Sequence, residues 1–314
     1  MTDGKKHATR EAYGKTLAEL ADEGIDVVAV DADLAGATKL DAFRDAHPDR
    51  FVDVGIAEQD MMDVAAGLSL TGKVAFTGSF AVFATGRCYD QIRNTVCDSN
   101  LNVKVCPTHA GITVGEDGAT HQALEDVGMM RALPQMTVLV PADFNATRAA
   151  LRLAATTYGP FYVRMGRLPV SQVYDEGFSP EVGHAYVLRE GTDVTIAACG
   201  VEVGEALAAA DALADEGISA EVIDVFSIKP LDAGTLLVSA RKTGRVVSVE
   251  EHSVATGMGA AIATLLSENV PTPMRLMGMR TFGTSAPATT LLEHFGLDAK
   301  GIVRETMECL AEWS

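Results

Sequence analysis

Twelve residues, GITVGEDGATHQ from Gly111 to Gln122, hold three glycines, the adjacent carboxylates Glu116 and Asp117, and His121, with a second histidine, His109, just upstream. These residue types suit three chemistries: backbone amides cradling a phosphate, acids and imidazoles holding a metal, or the same groups moving protons on a substrate. A Walker-type phosphate loop needs GxxxxGK[ST], and its lysine is missing here. The glycines also fail to match GxGxxG. His109, Glu116, Asp117 and His121 offer ligand types for a metal, but their spacing matches no common pattern. What remains is a glycine-loosened loop after the apolar run NVKVCP, at the edge of a sheet where open α/β folds bind ligands.

Other reactive residues have plainer readings. Glu58 opens a helical stretch, VGIAEQDMMDVAAGL, with Met61, Ala65 and Leu68 on one face. A carboxylate there is favoured by the helix dipole, so capping is its simplest role. Phe80 and Phe83 follow the run KVAFTGS and read as core aromatics placed at a strand end. Arg10, Arg164 and Arg167 read as solvated arginines when taken alone.

The elements that must position these residues alternate in type. DVVAVDAD, RFVDV, KVAFTGS, NVKVCP, MTVLVP and PFYVRM are strand candidates separated by segments of helical period. One helix is expected from Asp143, as its N-cap, to Thr157, and another from Thr85 to Val96, with Tyr89, Ile92 and Val96 on one face. After Arg167 the pattern loosens through LPVSQVYDEGFSPEVG, the candidate linker. A second alternation follows with DVTIAACG, SAEVIDVF, GRVVSVEEH and PMRLMGM. The expected fold is α/β, with two domains, each a mostly parallel sheet with helices on both faces. The expected boundaries are 1–170, a linker at 171–185, and 186–314.

Bulk properties agree with this. A chain of 314 residues, 47% apolar and 22% charged, can bury two ordinary cores. A net charge of −18 opposes nucleic acid and anionic membrane surfaces, and no run of about eighteen apolar residues appears. A cytoplasmic protein is expected, with neither nucleic acid nor membrane as partner. Its five scattered cysteines, lacking any CxxC pair, read as small buried hydrophobes.

Taken together, FVDVGIAEQDM, TGSFAVFATGRCYDQIRN, THAGITVGEDGATHQALEDV and YVRMGR resemble the pyrimidine-binding domain of transketolase. They are also similar to the matching half of 1-deoxy-xylulose-5-phosphate synthase. TDVTIAACGVEVGEA and VVSVEEHSVATGMG resemble the C-terminal domain of the same enzymes. The resemblance covers nearly the whole chain and implies thiamine diphosphate with Mg2+ as cofactors. It makes Glu58 the carboxylate that bonds the aminopyrimidine ring nitrogen, and Phe80 and Phe83 the rings stacked against that pyrimidine. An aromatic of the family pattern is replaced by Gly86. His121 is matched to a residue near the reacting carbon, His109 to one in the substrate channel, and Asp117 to the group that recognises the donor hydroxyl. Arg10, with Arg164 or Arg167, is matched to phosphate binding. ADLAGAT puts Ala37 or Thr38 where the family offers a serine to the phosphate.

The complete enzymes carry a further half whose GDG motif and later asparagine hold the metal and diphosphate. GEDG and Asn145 imitate that pair, but the loop already matches the histidine motif. The resemblance therefore implies the C-terminal subunit of a split transketolase that moves a two-carbon ketol unit between sugar phosphates in carbohydrate metabolism, as in the pentose phosphate pathway. A separate N-terminal subunit is its expected partner, in an α2β2 assembly, with homodimerisation when alone. The alternatives are a chain like the synthase, one like the β subunit of a 2-oxo acid dehydrogenase, or a non-catalytic regulatory subunit.

Overall fold

The structure is a computed structural model describing residues 6–312, so residues 1–5 and 313–314 of the expected domains lie outside it. After a short strand β1 (Lys6–Ala8), all six apolar runs of the first half form strands. They are β2 (Val27–Asp31), β3 (Phe51–Asp53), β4 (Val74–Gly78), β5 (Val103–Val105), β6 (Thr137–Leu139) and β7 (Phe161–Val163). They lie parallel in the order β6-β7-β5-β4-β2-β3. Every residue of VVAVD and VAFTG is buried, as strands covered on both faces require.

On one face, Tyr13, Leu17 and Leu20 of helix α1 (Tyr13–Asp22) pack with Leu40 and Phe43. Short α2 (Ala35–Thr38) and α3 (Asp41–Ala46) follow β2 on that side. Helices α4 (Glu58–Leu70), α5 (Ala81–Gly86) and α6 (Asp126–Ala132) follow β3, β4 and β5. Helix α7 (Phe144–Thr156) begins at the anticipated cap, where the Asp143 carboxylate accepts from the Ala146 N–H at 2.7 Å. The expected helix from Thr85 to Val96 is instead interrupted. Helix α5 ends at Gly86, Arg87 and Cys88 form a bend, and Gln91–Asp98 is a π-helix. Ile92 and Val96 are buried as their spacing anticipated, and Arg87 caps α5 at the break, its N–H still donating to the Phe83 carbonyl.

The candidate linker is more ordered than its lack of period suggested. Strand β8 (Pro169–Ser171) returns to pair antiparallel with β1, Lys6 opposite Ser171. Beyond it, the Asp143 carboxylate accepts from the Val173 and Tyr174 amides, and Tyr174 stacks on Phe178 at 3.8 Å. Aromatic contacts and side-chain-to-backbone bonds hold this segment, and neither leaves a periodic pattern in sequence.

The second sheet runs β14-β13-β10-β11-β9. Parallel strands β10 (Val194–Ala198), β11 (Ala220–Asp224), β13 (Val246–Ser253) and β14 (Met274–Met279) are edged by antiparallel β9 (Tyr186–Arg189). Helices α8 (Glu202–Asp215), α9 (Ala233–Thr243), α10 (Met258–Asn269), α11 (Ala288–Phe295) and α12 (Ala299–Glu312) complete this domain. Strand β12 (Ser227–Lys229) crosses back and pairs antiparallel with β6, so the second domain edges the first sheet. One apolar cluster runs from Met61 and Met130 to Ile223 and Met258, joining the domains through a shared core. All five cysteines are buried and free. Among the described residues no helix is long and apolar enough to cross a membrane.

Candidate active site

The carboxyl ends of β3, β4 and β5 converge, and each feeds one of the anticipated groups. The three glycines of the loop after β5 all have positive φ, 77° at Gly111, 85° at Gly115 and 74° at Gly118, which L side chains rarely adopt. At Gly111 space is also short, since a Cβ there would lie 2.0 Å from the Glu251 carboxyl carbon. Glu251 belongs to β13, and its Oε2 accepts from the Thr113 N–H at 2.9 Å. The Gln122 amide donates to the Thr284 carbonyl at 2.9 Å, and the Ser285 hydroxyl to the Glu116 carbonyl at 2.6 Å. The second domain therefore clamps the loop that carries Asp117 and His121.

His109, Phe80, Phe83 and His121 form one aromatic group. Phe80 stacks on His109 with ring centres 3.8 Å apart, and Phe83 meets the edge of His121 at 5.4 Å. His109 is buried and holds a left-handed backbone, φ 58°, a strain that packing must maintain. Arg10 Nη1 donates to its Nε2 at 2.9 Å, which leaves Nδ1–H to donate to the Thr108 hydroxyl at 2.7 Å. Burial first, then the charges of Arg10 and Arg167, followed by His121 and Lys39, push the imidazole down to about 3. His109 is thus a neutral ring of fixed tautomer at ordinary pH.

Positive groups gather on one side of that ring. Arg10 also donates to the Ala37 carbonyl at 2.9 Å, and Arg167 donates to the Val114 carbonyl at 2.9 Å and to Asp117 at 3.1 Å. Burial and neighbouring Arg167 both lower the Arg10 guanidinium, the second a sign of like charges brought close. Thr38 offers no free hydroxyl, because its Oγ1 bonds back to the Leu34 and Ala35 carbonyls.

On the other side, Glu58 is the first residue of α4 and only 5% exposed. Arg87 donates to its Oε1 at 2.6 Å while lying 3.9 Å from the Phe83 ring centre. A flat nitrogenous group thus rests on an aromatic face and bonds a buried carboxylate. Those donors and surfaces fit an aminopyrimidine, whose ring needs a stacking face and a carboxyl partner at one nitrogen.

One expected site residue lies apart from the rest. Arg164 does not reach the open side of this site. It is 6% exposed, donates to Asp126 at 2.8 Å, and lies 3.5 Å from Glu251. Burial raises the Asp126 carboxyl, but Arg164, His252 and the Tyr162 hydroxyl outweigh it and hold that acid below its ordinary range. Arg164 ties the two domains together, and Arg167 is the arginine of this segment beside the histidines. Arg87 and Thr108, which the sequence did not single out, also touch this group. Arg87 sits in the TGRC break, where a cation follows two phenylalanines, and that was its only signal.

Residues 5–171 match the family described as transketolase, pyrimidine binding domain, and residues 183–302 match transketolase, C-terminal domain. The chain is 44% identical over 305 residues to a 6-deoxy-6-sulfo-D-fructose transketolase subunit of a Clostridium species, covering 97% of this chain and 95% of that one. It is 38% identical over 303 residues to an apulose-4-phosphate transketolase subunit of Phocaeicola vulgatus, covering 96% and 97%. A solved structure described as a split gene transketolase, inactive beta4 tetramer, superposes with a TM-score of 0.90 at 48% identity, covering 98% of this chain and 99% of that one.

Proposed function

The chain belongs to the transketolase family, and from that premise we propose that it is the C-terminal subunit of a split, thiamine-diphosphate-dependent transketolase. Its reaction is transfer of a two-carbon ketol unit from a ketose phosphate to an aldose phosphate, in the cytoplasm, within the pentose phosphate or a related sugar pathway. The observation that carries this reading is the buried Glu58 carboxylate beside the Phe83 face, with a planar cation lying across both.

When bound, thiamine diphosphate supplies the nucleophilic carbon that accepts the ketol. This chain's residues then have separable tasks. Glu58 bonds the pyrimidine ring nitrogen, while Phe80 and Phe83 limit the ring's tilt and exclude water. Asp117 accepts from the donor hydroxyl next to the carbonyl, which disfavours donors lacking it. His121 holds or moves a proton near the reacting carbon. His109, neutral and of fixed tautomer, donates nothing from Nε2 and instead orients Arg10. Arg10 and Arg167 receive the terminal phosphate.

The two relatives of matching length are each named as a subunit, which supports a separate partner carrying Mg2+ and the diphosphate. The structural neighbour described as an inactive beta4 tetramer supports self-association without transfer when the chain is alone. An α2β2 assembly is the proposed working form. Its test is co-purification with the N-terminal subunit and assay with ketose phosphate, aldose phosphate, thiamine diphosphate and Mg2+. Glu58→Gln should lower kcat by about 10²–10³, the range of a lost proton-handling group. Wild-type activity in that variant would overturn the role of Glu58.

A further inference from the structure

Glu58 is a carboxylate taken almost wholly out of water in the first turn of α4, and such a charge is costly unless a partner meets it. Its one ion-pair partner among the described residues is Arg87, whose Nη1 donates to Oε1 at 2.6 Å. The central carbon of the same guanidinium lies 3.9 Å from the centre of the Phe83 ring. Arg87 thus presents a planar, delocalised group with N–H donors at its edge, resting on an aromatic face and bonding an acid. An aminopyrimidine ring presents the same features. Two planar groups cannot share one patch of the Phe83 face.

The backbone of Arg87 is fixed while its side chain is not. Its N–H donates to the Phe83 carbonyl at 3.1 Å, closing α5, and its carbonyl accepts from the Gln59 amide at 3.1 Å. The side chain is 49% exposed, and its one hydrogen bond among the described residues is the bond to Glu58. Arg164 shows the opposite arrangement, 6% exposed and bonded to Asp126 and to the Ala123 and Glu251 carbonyls. A guanidinium on a long stem, half in water and held by one acid, can swing away without moving the fold.

Resting on the transketolase reading, we infer that Arg87 is a stand-in ligand, whose guanidinium occupies the subsite of the cofactor's aminopyrimidine ring and is displaced when that ring enters. Arg87 keeps Glu58 paired and the Phe83 face covered until then. It also sets cofactor affinity, because the subsite is open only for the fraction of time that Arg87 is away, and the apparent Kd rises as that fraction falls.

Two measurements test this. In the first, the melting temperature of the isolated chain is followed against methylguanidinium and against an aminodimethylpyrimidine, the bare ring of the cofactor, with methylammonium as the control for charge. Arg87→Ala should melt below wild type and be raised by methylguanidinium and by the pyrimidine, but not by methylammonium. Wild type should need about tenfold more pyrimidine for the same rise. Arg87→Lys, which keeps a counter-charge for Glu58 but no plane, should fold as wild type does and respond at intermediate concentrations, and Arg93→Ala should match wild type. In the second, the assembled apoenzyme is titrated calorimetrically with thiamine diphosphate and Mg2+, and Arg87→Ala should lower the Kd about three- to tenfold. Weaker binding by Arg87→Ala would overturn the proposal, since Arg87 would then be a contact that the bound cofactor retains. Equal pyrimidine responses from wild type and Arg87→Ala would also overturn it, while leaving the role of Glu58 standing. Should methylguanidinium restore Arg87→Ala while no form binds the pyrimidine or thiamine diphosphate, the subsite is not the cofactor's, and the proposal and the transketolase reading fall together.

Discussion

Arg164 and Arg167 leave the same strand three residues apart and meet opposite surroundings. Arg164 is 6% exposed among Asp126, Glu251 and the Asp126-bound Tyr162, so counter-charges surround it. Arg167 is 36% exposed, has Asp117 as its one ion-pair partner among the described residues, and adds its charge to that of Arg10 beside His109. Matched charge under full burial marks a joint between domains, whereas surplus like charge at partial exposure is what the proposed phosphate contact of Arg167 needs. Residue type alone could not distinguish them, which is why the sequence left both open.

The largest expected effect tests that division directly. Arg164→Ala leaves Asp126 and Glu251 buried without their cation and should cost about 3–5 kcal/mol of unfolding free energy. Arg167→Ala should stay within about 1 kcal/mol, the range of partly exposed pairs, yet raise KM for phosphorylated donors. Urea unfolding beside steady-state kinetics reads both. If the two variants lose equal stability, burial with counter-charge is not what separates these arginines.

The sequence carried the fold further than the site. The six strands named in the first half and the four named in the second follow from short apolar runs, clearest in β2, β4, β10 and β11, where burial on both faces writes itself into composition. Strands β1, β8, β9 and β12 escaped notice because each is three or four residues long and lies at a sheet edge or in a two-stranded ribbon. The helix expected across Thr85 to Val96 breaks because the apolar spacing of Ile92 and Val96 says nothing about the turn at Arg87 and Cys88. For the candidate site, the loop glycines, Glu58, Phe80, Phe83 and the histidines lie in short motifs that stand out along the chain. Arg87 did not, since an arginine in a bend gains meaning only from what lies across space.

A second test sharpens the cationic side of the comparison through pH. Folding lowers the His109 imidazole from its ordinary 6.5 to about 3, with burial first and Arg10 next among the causes. Between those values the unfolded chain takes a proton that the folded chain refuses. His109 therefore leaves stability intact above about pH 6.5 and removes it as pH falls toward 3. The loss by pH 5 is roughly 2 kcal/mol. Asp31 works in the opposite sense, since burial raises its carboxyl to about 7, so its contribution is present at low pH and lost as pH rises through 7. Comparing wild type with His109→Gln cancels Asp31. The difference in unfolding free energy between the two should shift by about 2 kcal/mol in favour of the variant from pH 7 to pH 5, and a constant difference would refute the neutral-ring assignment.

The smallest effect concerns Ala37, which brings no hydroxyl to the side of Arg10. Ala37 is half-buried on α2 with its carbonyl already accepting from Arg10, and Thr38 is turned inward. Ala37→Ser would place a hydroxyl beside the cations without disturbing either bond. A typical net hydrogen bond is worth about 0.5–1.5 kcal/mol, so KM for a phosphorylated donor should fall about two- to twelvefold. An unphosphorylated donor should be unaffected, because the added hydroxyl has no oxyanion to meet. Equal improvement with both donors would place the gain in α2 itself and remove Ala37 from the ligand's side of the comparison.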